Sequence, residues 1–483
     1  MISSKNKPVE TKIKSYVSKH MISFAMPGHK GNRGINRTLK KNVFRYDVTE
    51  LEWTDNLHYP SSAIQNAQKE AAKAFGAKQT YFLVNGSTVG VYAMIAAVCS
   101  PGDKILLDRS CHISAINACA MLGVTPVYIK QNILDVFSVP SGININDVIY
   151  ELDRNSDVKA ILITSPSYYG ICPDVGTIAK IAHGRNIPLL VDEAHGAHFV
   201  AEPGCFPPTA LLKGADLCVQ SGHKTLNAMT QTAFLHTRSD IVDKDKLEAV
   251  LKMLQSSSPS FPFVISLDAA RSDINSHRWK NTYNRCVDLK KAVTETTKIQ
   301  CITSILNSTN NIDSVDETRM VFNFSAYKTN GFEVSKILRE KYRIDVEMSD
   351  LFNVVCIATP NNNIIEYIIL KHALCKIASK LEESGQEPSF PPLPVLECEM
   401  SPQKAFYAKG KTVNINDSIG CVSKTNIASY PPGVAIICIG EKITAKAVEY
   451  VSALDAMGAD IIGFKGAKQI EVVAENVSAD RRM

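Results

Sequence analysis

The sequence predicts an α/β protein with a mostly parallel central sheet and smaller C-terminal α/β domains. Three observations carry this. Short apolar runs rich in Leu and β-branched residues occur at 104–107, 125–129, 160–164, 188–191 and 217–220. Helix-length segments such as 177–183 lie between them. The composition is ordinary for a globular chain: 45% of the 483 residues are hydrophobic and 21% charged, which excludes disorder and fibrous repeats. Apolar strands alternating with helices build a parallel sheet covered on both faces, and such sheets bind ligands at the carboxyl ends of their strands.

The elements follow in order. Residues 1–23 are basic, with Val9, Ile13, Tyr16, Val17 and His20 at helical spacing, so a short amphipathic arm is expected. Pro27 and three Gly within 24–34 argue for irregular backbone. Residues 61–75 read as a helix capped by Ser61 or Ser62, with Ile64, Ala67, Ala71, Ala74 and Phe75 on one face. An apolar stretch, 81–84, leads through Asn85-Gly-Ser-Thr-Val-Gly90 to a helix over 91–99. Beyond the apolar runs, helices are expected at 241–256 and 262–297. Strands follow at 318–324 and 354–358, with helices at 334–341 and 364–384. Four Pro within 386–394 suggest an extended linker. The expected division is an arm and linker (1–60), a large ligand-binding domain (61–300), a small domain (301–385) and a C-terminal cap (386–483). The tail from 471 either stays loose or docks through Val472, Val473 and Val477.

Charge and cysteines narrow the class. Lys plus Arg is 53 against 48 Asp plus Glu, a mild net +5 that calls for neither nucleic acid nor an anionic membrane. No stretch approaches the roughly 20 apolar residues of a membrane helix, and the start has no secretory signal. The 13 Cys are scattered without a Cys-x-x-Cys pair, so reduced thiols in a cytoplasmic protein are expected.

Four segments that follow apolar runs carry candidate chemistry. Ser87 and Thr88, at a helix start, suit an anion; the same residues suit an ordinary turn. Asp192 is either a capping Asp or a carboxylate facing a cationic ring nitrogen, since a buried acid is costly unless paired. Lys224, in Ser221-Gly-His-Lys224, sits at a depth that lowers a lysine pKa and makes it nucleophilic; a lone Lys is more often a solvated group. His112, in Asp108-Arg-Ser-Cys-His112, is placed to stack on a planar ring or to be a satisfied loop histidine. One explanation covers all four: pyridoxal 5′-phosphate, with Lys224 as its Schiff-base lysine and Asp192 on the pyridine nitrogen. Reading Asp192, Glu193, His195 and His198 as metal ligands is disfavoured, because zinc His pairs on helices usually sit four apart and Gly196 weakens any helix there, so no metal is expected.

The chain resembles the Orn/Lys/Arg decarboxylases of the aspartate-aminotransferase-like fold (fold type I), and most of all the short Gram-positive-type arginine/lysine decarboxylases. The matching stretches are Met26-Pro-Gly-His-Lys-Gly31, Asp55-Asn-Leu-His-Tyr-Pro60, Asn85-Gly-Ser-Thr88, 108–112, Ser165-Pro-Ser-Tyr-Tyr-Gly170, Asp192-Glu-Ala-His-Gly-Ala197, Ser221-Gly-His-Lys-Thr225 and Tyr430-Pro-Pro-Gly433. The resemblance implies a lyase that decarboxylates a basic L-amino acid. Arginine to agmatine comes first, then lysine to cadaverine, then ornithine, in polyamine biosynthesis or acid resistance. It implies that Lys224 holds the cofactor, Asp192 faces the ring nitrogen and His112 stacks on the ring. Ser87, Thr88 and Ser221 are then phosphate ligands with His223 close by, and His195 lies on the phenolic side. Lys224 or His223 protonates Cα, and Glu347 falls near the substrate's distal cation. A homodimer with the site at its interface is the minimum assembly. Departures at Ala25, Asn227, 51–54 and Ile439-Gly-Glu441 bear on substrate choice and packing. The chain starts almost directly at the Pro-Gly-His-Lys segment, so the N-terminal wing of longer relatives is not expected. An aminotransferase or another lyase on the same cofactor is the nearest rival.

Overall fold

The computed structural model describes residues 7–303, 311–385, 390, 393–430, 433–466 and 468–474. Its centre is a seven-stranded sheet. In chain order the strands are β1 (Gln79–Leu83), β2 (Lys104–Asp108), β3 (Thr125–Ile129), β4 (Val158–Thr164), β5 (Leu189–Asp192), β6 (Leu217–Gln220) and β7 (Ala233–Thr237). They lie in the order β1-β7-β6-β5-β4-β2-β3, and β7 alone runs against the rest. The five predicted runs are β2 to β6, each within two residues of its expected bounds. Leu106, Ile161, Leu162, Leu190, Val191 and Val219 are fully buried. Burial of each such side chain contributes roughly 1.5–3 kcal/mol. Because β1 to β6 run the same way, their carboxyl ends share one edge of the sheet.

The helices differ from expectation at their ends. Helix α1 (Pro8–Val17) forms, but it buries none of its residues; Val9, Ile13 and Val17 face solvent. Helix α2 (Ala63–Phe75) buries Ile64, Ala71 and Phe75 as predicted, whereas Ala74 is exposed and Gln68 and Ala72 take buried places. Neither Ser61 nor Ser62 caps it with its side chain. The Asp55 carboxylate instead accepts from the backbone N–H of Ser61, Ser62 and Ile64 at 3.0, 3.1 and 2.8 Å. Burial alone would raise the Asp55 pKa; these N–H groups pull it down to about 2. Helix α3 (Gly86–Val98) starts five residues before the predicted 91. Gly86, at φ 79°, lets the chain turn directly from β1 into it, so Ser87 and Thr88 occupy its first turn. Helix α4 (Ile113–Leu122) follows β2.

The predicted 262–297 helix is two helices, Phe261–Ser272 and Ser276–Thr296, with Asn275 capping the second through Arg278 N. A second sheet contains β8 (Gln300–Cys301), β9 (Arg319–Asn323), β10 (Met348–Ser349) and β11 (Asn353–Ile357) in the order β8-β9-β11-β10. Helices Gly331–Tyr342 and Ile364–Ala378 cover it. The latter stops well before the predicted 384, and its start is held by an Asn363/Glu366 capping box. The C-terminal segment builds small sheets from Gly410–Asn414 with Gln469–Val473 and from Ile427–Ser429, Val434–Ile437 and Ile461–Ile462, packed with helix Ala445–Ala456. Val472 and Val473 are therefore docked; Val477 and most of the predicted proline linker lie outside the described residues.

Candidate active site

A cavity of about 270 Å³ opens at the shared carboxyl edge of the central sheet. Ser87 and Thr88 reach it from the first turn of α3, His112 from the start of α4, Asp192 from the last position of β5 and His195 from the loop beyond it. His223 and Lys224 come from the short helix Gly222–Thr225 that follows β6. Seven of the predicted residues thus line one space. Ser221 stands one layer behind, its Oγ 3.0 Å from Ser87 Oγ. Glu347 is also set back: Met26 N donates to its Oε2 at 2.8 Å and the Tyr168 hydroxyl donates to Oε1. Tyr168 and Met26 themselves line the cavity.

The geometry defines what each group can do. Lys224 is half-buried, and desolvation with the Arg319 charge lowers its pKa to about 8 against the opposing pull of Asp192 and Glu347. Its Nζ lies 3.0 Å from His195 Nε2. His195 is buried; burial, then Lys224 and Arg319, hold its pKa well below the ordinary value. Asp192 caps its own loop by accepting from Ala194 N at 3.1 Å, and it also lines the cavity. His112 likewise both caps α4 and lines the cavity. Its Nδ1 accepts from Ser114 N at 3.2 Å as the cap of α4, while its ring lines the cavity. Burial lowers the His223 pKa to about 4, and its Nδ1 lies 3.0 Å from Thr232 O. A carbonyl only accepts, so Nδ1 carries the proton and Nε2 is bare in the neutral ring.

The metal-like run disperses. Glu193 turns to Ala210 N at 2.8 Å and Gln220 Nε2 at 2.6 Å. His198 stacks on Trp279 and turns to Asp316 at 3.3 Å. No cluster of three or more His, Cys, Asp or Glu able to hold a metal occurs among the described residues. No helix among them is long and apolar enough to cross a membrane. Sequence reasoning assigned no role to Tyr168, Tyr430, Thr164 or Ser110, all of which line the cavity, nor to Arg319 behind it. The stretch 165–170 and Tyr430 stood in motifs already noted, and Arg319 was a charge at the head of an apolar strand.

Comparison with known proteins identifies the family. The model of the Orn/Lys/Arg decarboxylase major domain matches residues 7–330, and that of the family's C-terminal domain matches 386–479. The arginine decarboxylase of Bacillus subtilis (strain 168) is 32% identical over 456 residues, covering 92% of this chain and 92% of that protein. The arginine decarboxylase of Halalkalibacterium halodurans is 31% identical over 469 residues, 94% and 95% of the two chains. Among solved structures, the lysine decarboxylase of Francisella novicida superposes with a TM-score of 0.76 over 93% of this chain and 78% of that one; at 18% identity this shows the shared fold. The chain therefore belongs to the Orn/Lys/Arg decarboxylase family and is an amino-acid decarboxylase.

Proposed function

We propose that the protein removes CO2 from L-arginine with pyridoxal 5′-phosphate held by Lys224, giving agmatine. The observation that carries this is the half-buried Lys224 amine, partly deprotonated near neutral pH, sharing one cavity with a strand-end carboxylate and a helix N-terminus. The residues fit the cofactor. Lys224 Nζ would hold its aldehyde carbon, Asp192 would face its ring nitrogen and His112 would cover one ring face. Ser87, Thr88 and Ser221 would hold the phosphate, with the helix dipole of α3 favouring its charge. His195 would face the phenolic side. When bound, the cofactor supplies an electron sink for the bond broken at Cα.

The proton returned to Cα is assigned to Lys224 rather than His223. With its proton on Nδ1 and a pKa of about 4, His223 presents a bare Nε2 at neutral pH and has no proton to give. For the same reason its place near the phosphate is that of a neutral neighbour. Glu347 is the acid proposed nearest the substrate's distal cation. Arginine is the substrate named for several relatives that match nearly the whole chain. A homodimer, a cytoplasmic setting and the domain division at 61–300, 301–385 and 386–483 complete the proposal. Phe44 and Trp53, 89% and 95% exposed, are apolar side chains that such a dimer would cover. The test is CO2 release from L-arginine, L-lysine and L-ornithine offered separately to protein supplied with pyridoxal 5′-phosphate. Arginine is expected to turn over fastest; no CO2 from any of the three would overturn the proposal.

A further inference from the structure

Behind the cavity wall, Arg319 completes a hydrogen-bonded line to Lys224. It begins β9 and is 1% exposed. Its Nη2 lies 2.7 Å from His195 Nδ1, and His195 Nε2 on the far side of the ring lies 3.0 Å from Lys224 Nζ. Tyr168 fixes both partners. Its ring meets the imidazole edge-on at 4.7 Å and sits 5.9 Å from the guanidinium carbon. Gly170 leaves space for the arginine stem: a Cβ there would stand 2.7 Å from Arg319 Cβ.

A guanidinium has donors only. Nη2 therefore donates to Nδ1, and Nδ1 must carry a lone pair. The neutral imidazole then holds its proton on Nε2, pointing at Nζ. A lysine ammonium, also donor-only, would meet that N–H donor to donor, whereas the free amine accepts it. We propose that Arg319 is a positioning residue that fixes His195 as its Nε2–H tautomer and so holds Lys224, before the cofactor attaches, as the free, nucleophilic amine. This rests on Lys224 being the cofactor lysine, and it goes beyond that role by naming what sets the amine's protonation. Of the other groups facing the pair, Asp192 and Glu347 favour the ammonium, while His112 and His223 resist charging of His195. The lowered Lys224 pKa has the sign the tautomer requires, with burial its largest cause.

The test reads the amine without cofactor chemistry. Apoenzyme is labelled with acetic anhydride across a pH series, and labelling at Lys224 is followed by peptide mass spectrometry. Arg319→Met is expected to raise the labelling midpoint by about one unit, a tenfold loss of free amine at neutral pH. In a His195→Phe background the same substitution is expected to move it far less, because the line is already cut. Equal shifts in both backgrounds would mean that Arg319 acts by charge alone and would overturn the proposal, as would no shift in either. If Arg319→Met does not fold, the wild-type apoenzyme decides. A 15N spectrum of histidine-labelled protein, with His195→Gln assigning the signal, is expected to show a protonated Nε2 and a bare Nδ1; a protonated Nδ1 would overturn the proposal. A cofactor found on another lysine would refute the role of Lys224 while leaving the labelling shift intact, so the two failures are separable.

Discussion

Arg109 and the buried Glu441 form an ion pair, 3.1 Å long and largely shielded from solvent, between the loop after β2 and the C-terminal segment. Arg109 also donates to the carbonyl oxygens of Ala435 at 2.6 Å and Ile436 at 3.1 Å. Three residues on, His112 bridges to Val434, and Ile113 N donates to Gly433 O at 3.1 Å. The pair thus clamps Gly433 and Val434 of the C-terminal segment against the loop that carries His112. Burial pushes the Glu441 pKa up, and Arg109 pulls against it.

Glu441→Ala leaves the Arg109 charge largely shielded from solvent without its carboxylate. The expected loss is about 3–5 kcal/mol, measured by urea unfolding, together with weaker retention of the cofactor. A loss below about 1 kcal/mol would show that the two carbonyls alone satisfy Arg109.

Asp192→Asn keeps the Ala194 N–H acceptor and so is expected to keep the fold. It removes the negative charge that would hold a proton on the cofactor's ring nitrogen. Turnover is expected to fall about 100-fold or more, equivalent to roughly 2.7 kcal/mol on the barrier. A near-normal rate in a steady-state assay would mean that another group protonates the ring.

His236 makes acid stability testable away from the site. It is buried between Thr80 Oγ1 at 2.8 Å and Gln220 Oε1 at 3.1 Å, and burial lowers its pKa to about 3. The unfolded state binds a proton near pH 6.5 that the folded state refuses until about pH 3. The stability from this group is therefore complete above 6.5 and declines as pH falls through that window. At pH 5 the expected loss is about 2 kcal/mol. Urea midpoints at pH 7 and pH 5 are expected to differ less in His236→Gln than in wild type; an equal difference would remove His236 as a source of acid lability.

The strands that build the site were legible because a parallel sheet buried on both faces reads as unbroken apolar runs, and Asp192 and Lys224 follow such runs directly. Strand β7 was not legible. It runs antiparallel and carries His236, whose burial is satisfied by Thr80 and Gln220 from distant positions. The cap of α2 was misplaced because Asp55 reaches it from an upstream loop, while local spacing pointed to Ser61 and Ser62. The break at 273–275 carries no Pro or Gly, so its sequence reads as continuous helix. Arg319 escaped assignment because its partner His195 lies on the other sheet's edge, and only the tertiary fold brings the two within 2.7 Å.

The central measurement is where the cofactor attaches. Wild type and Lys224→Ala are incubated with pyridoxal 5′-phosphate, reduced with borohydride and mapped by peptide mass spectrometry, with arginine decarboxylation measured on unreduced samples. The expected result is a phosphopyridoxyl group on Lys224 in wild type, none at that site in the variant, and nearly complete loss of CO2 release. A modified lysine elsewhere in wild type, or undiminished decarboxylation by Lys224→Ala, would contradict the assignment of Lys224 as the residue on which the chemistry depends.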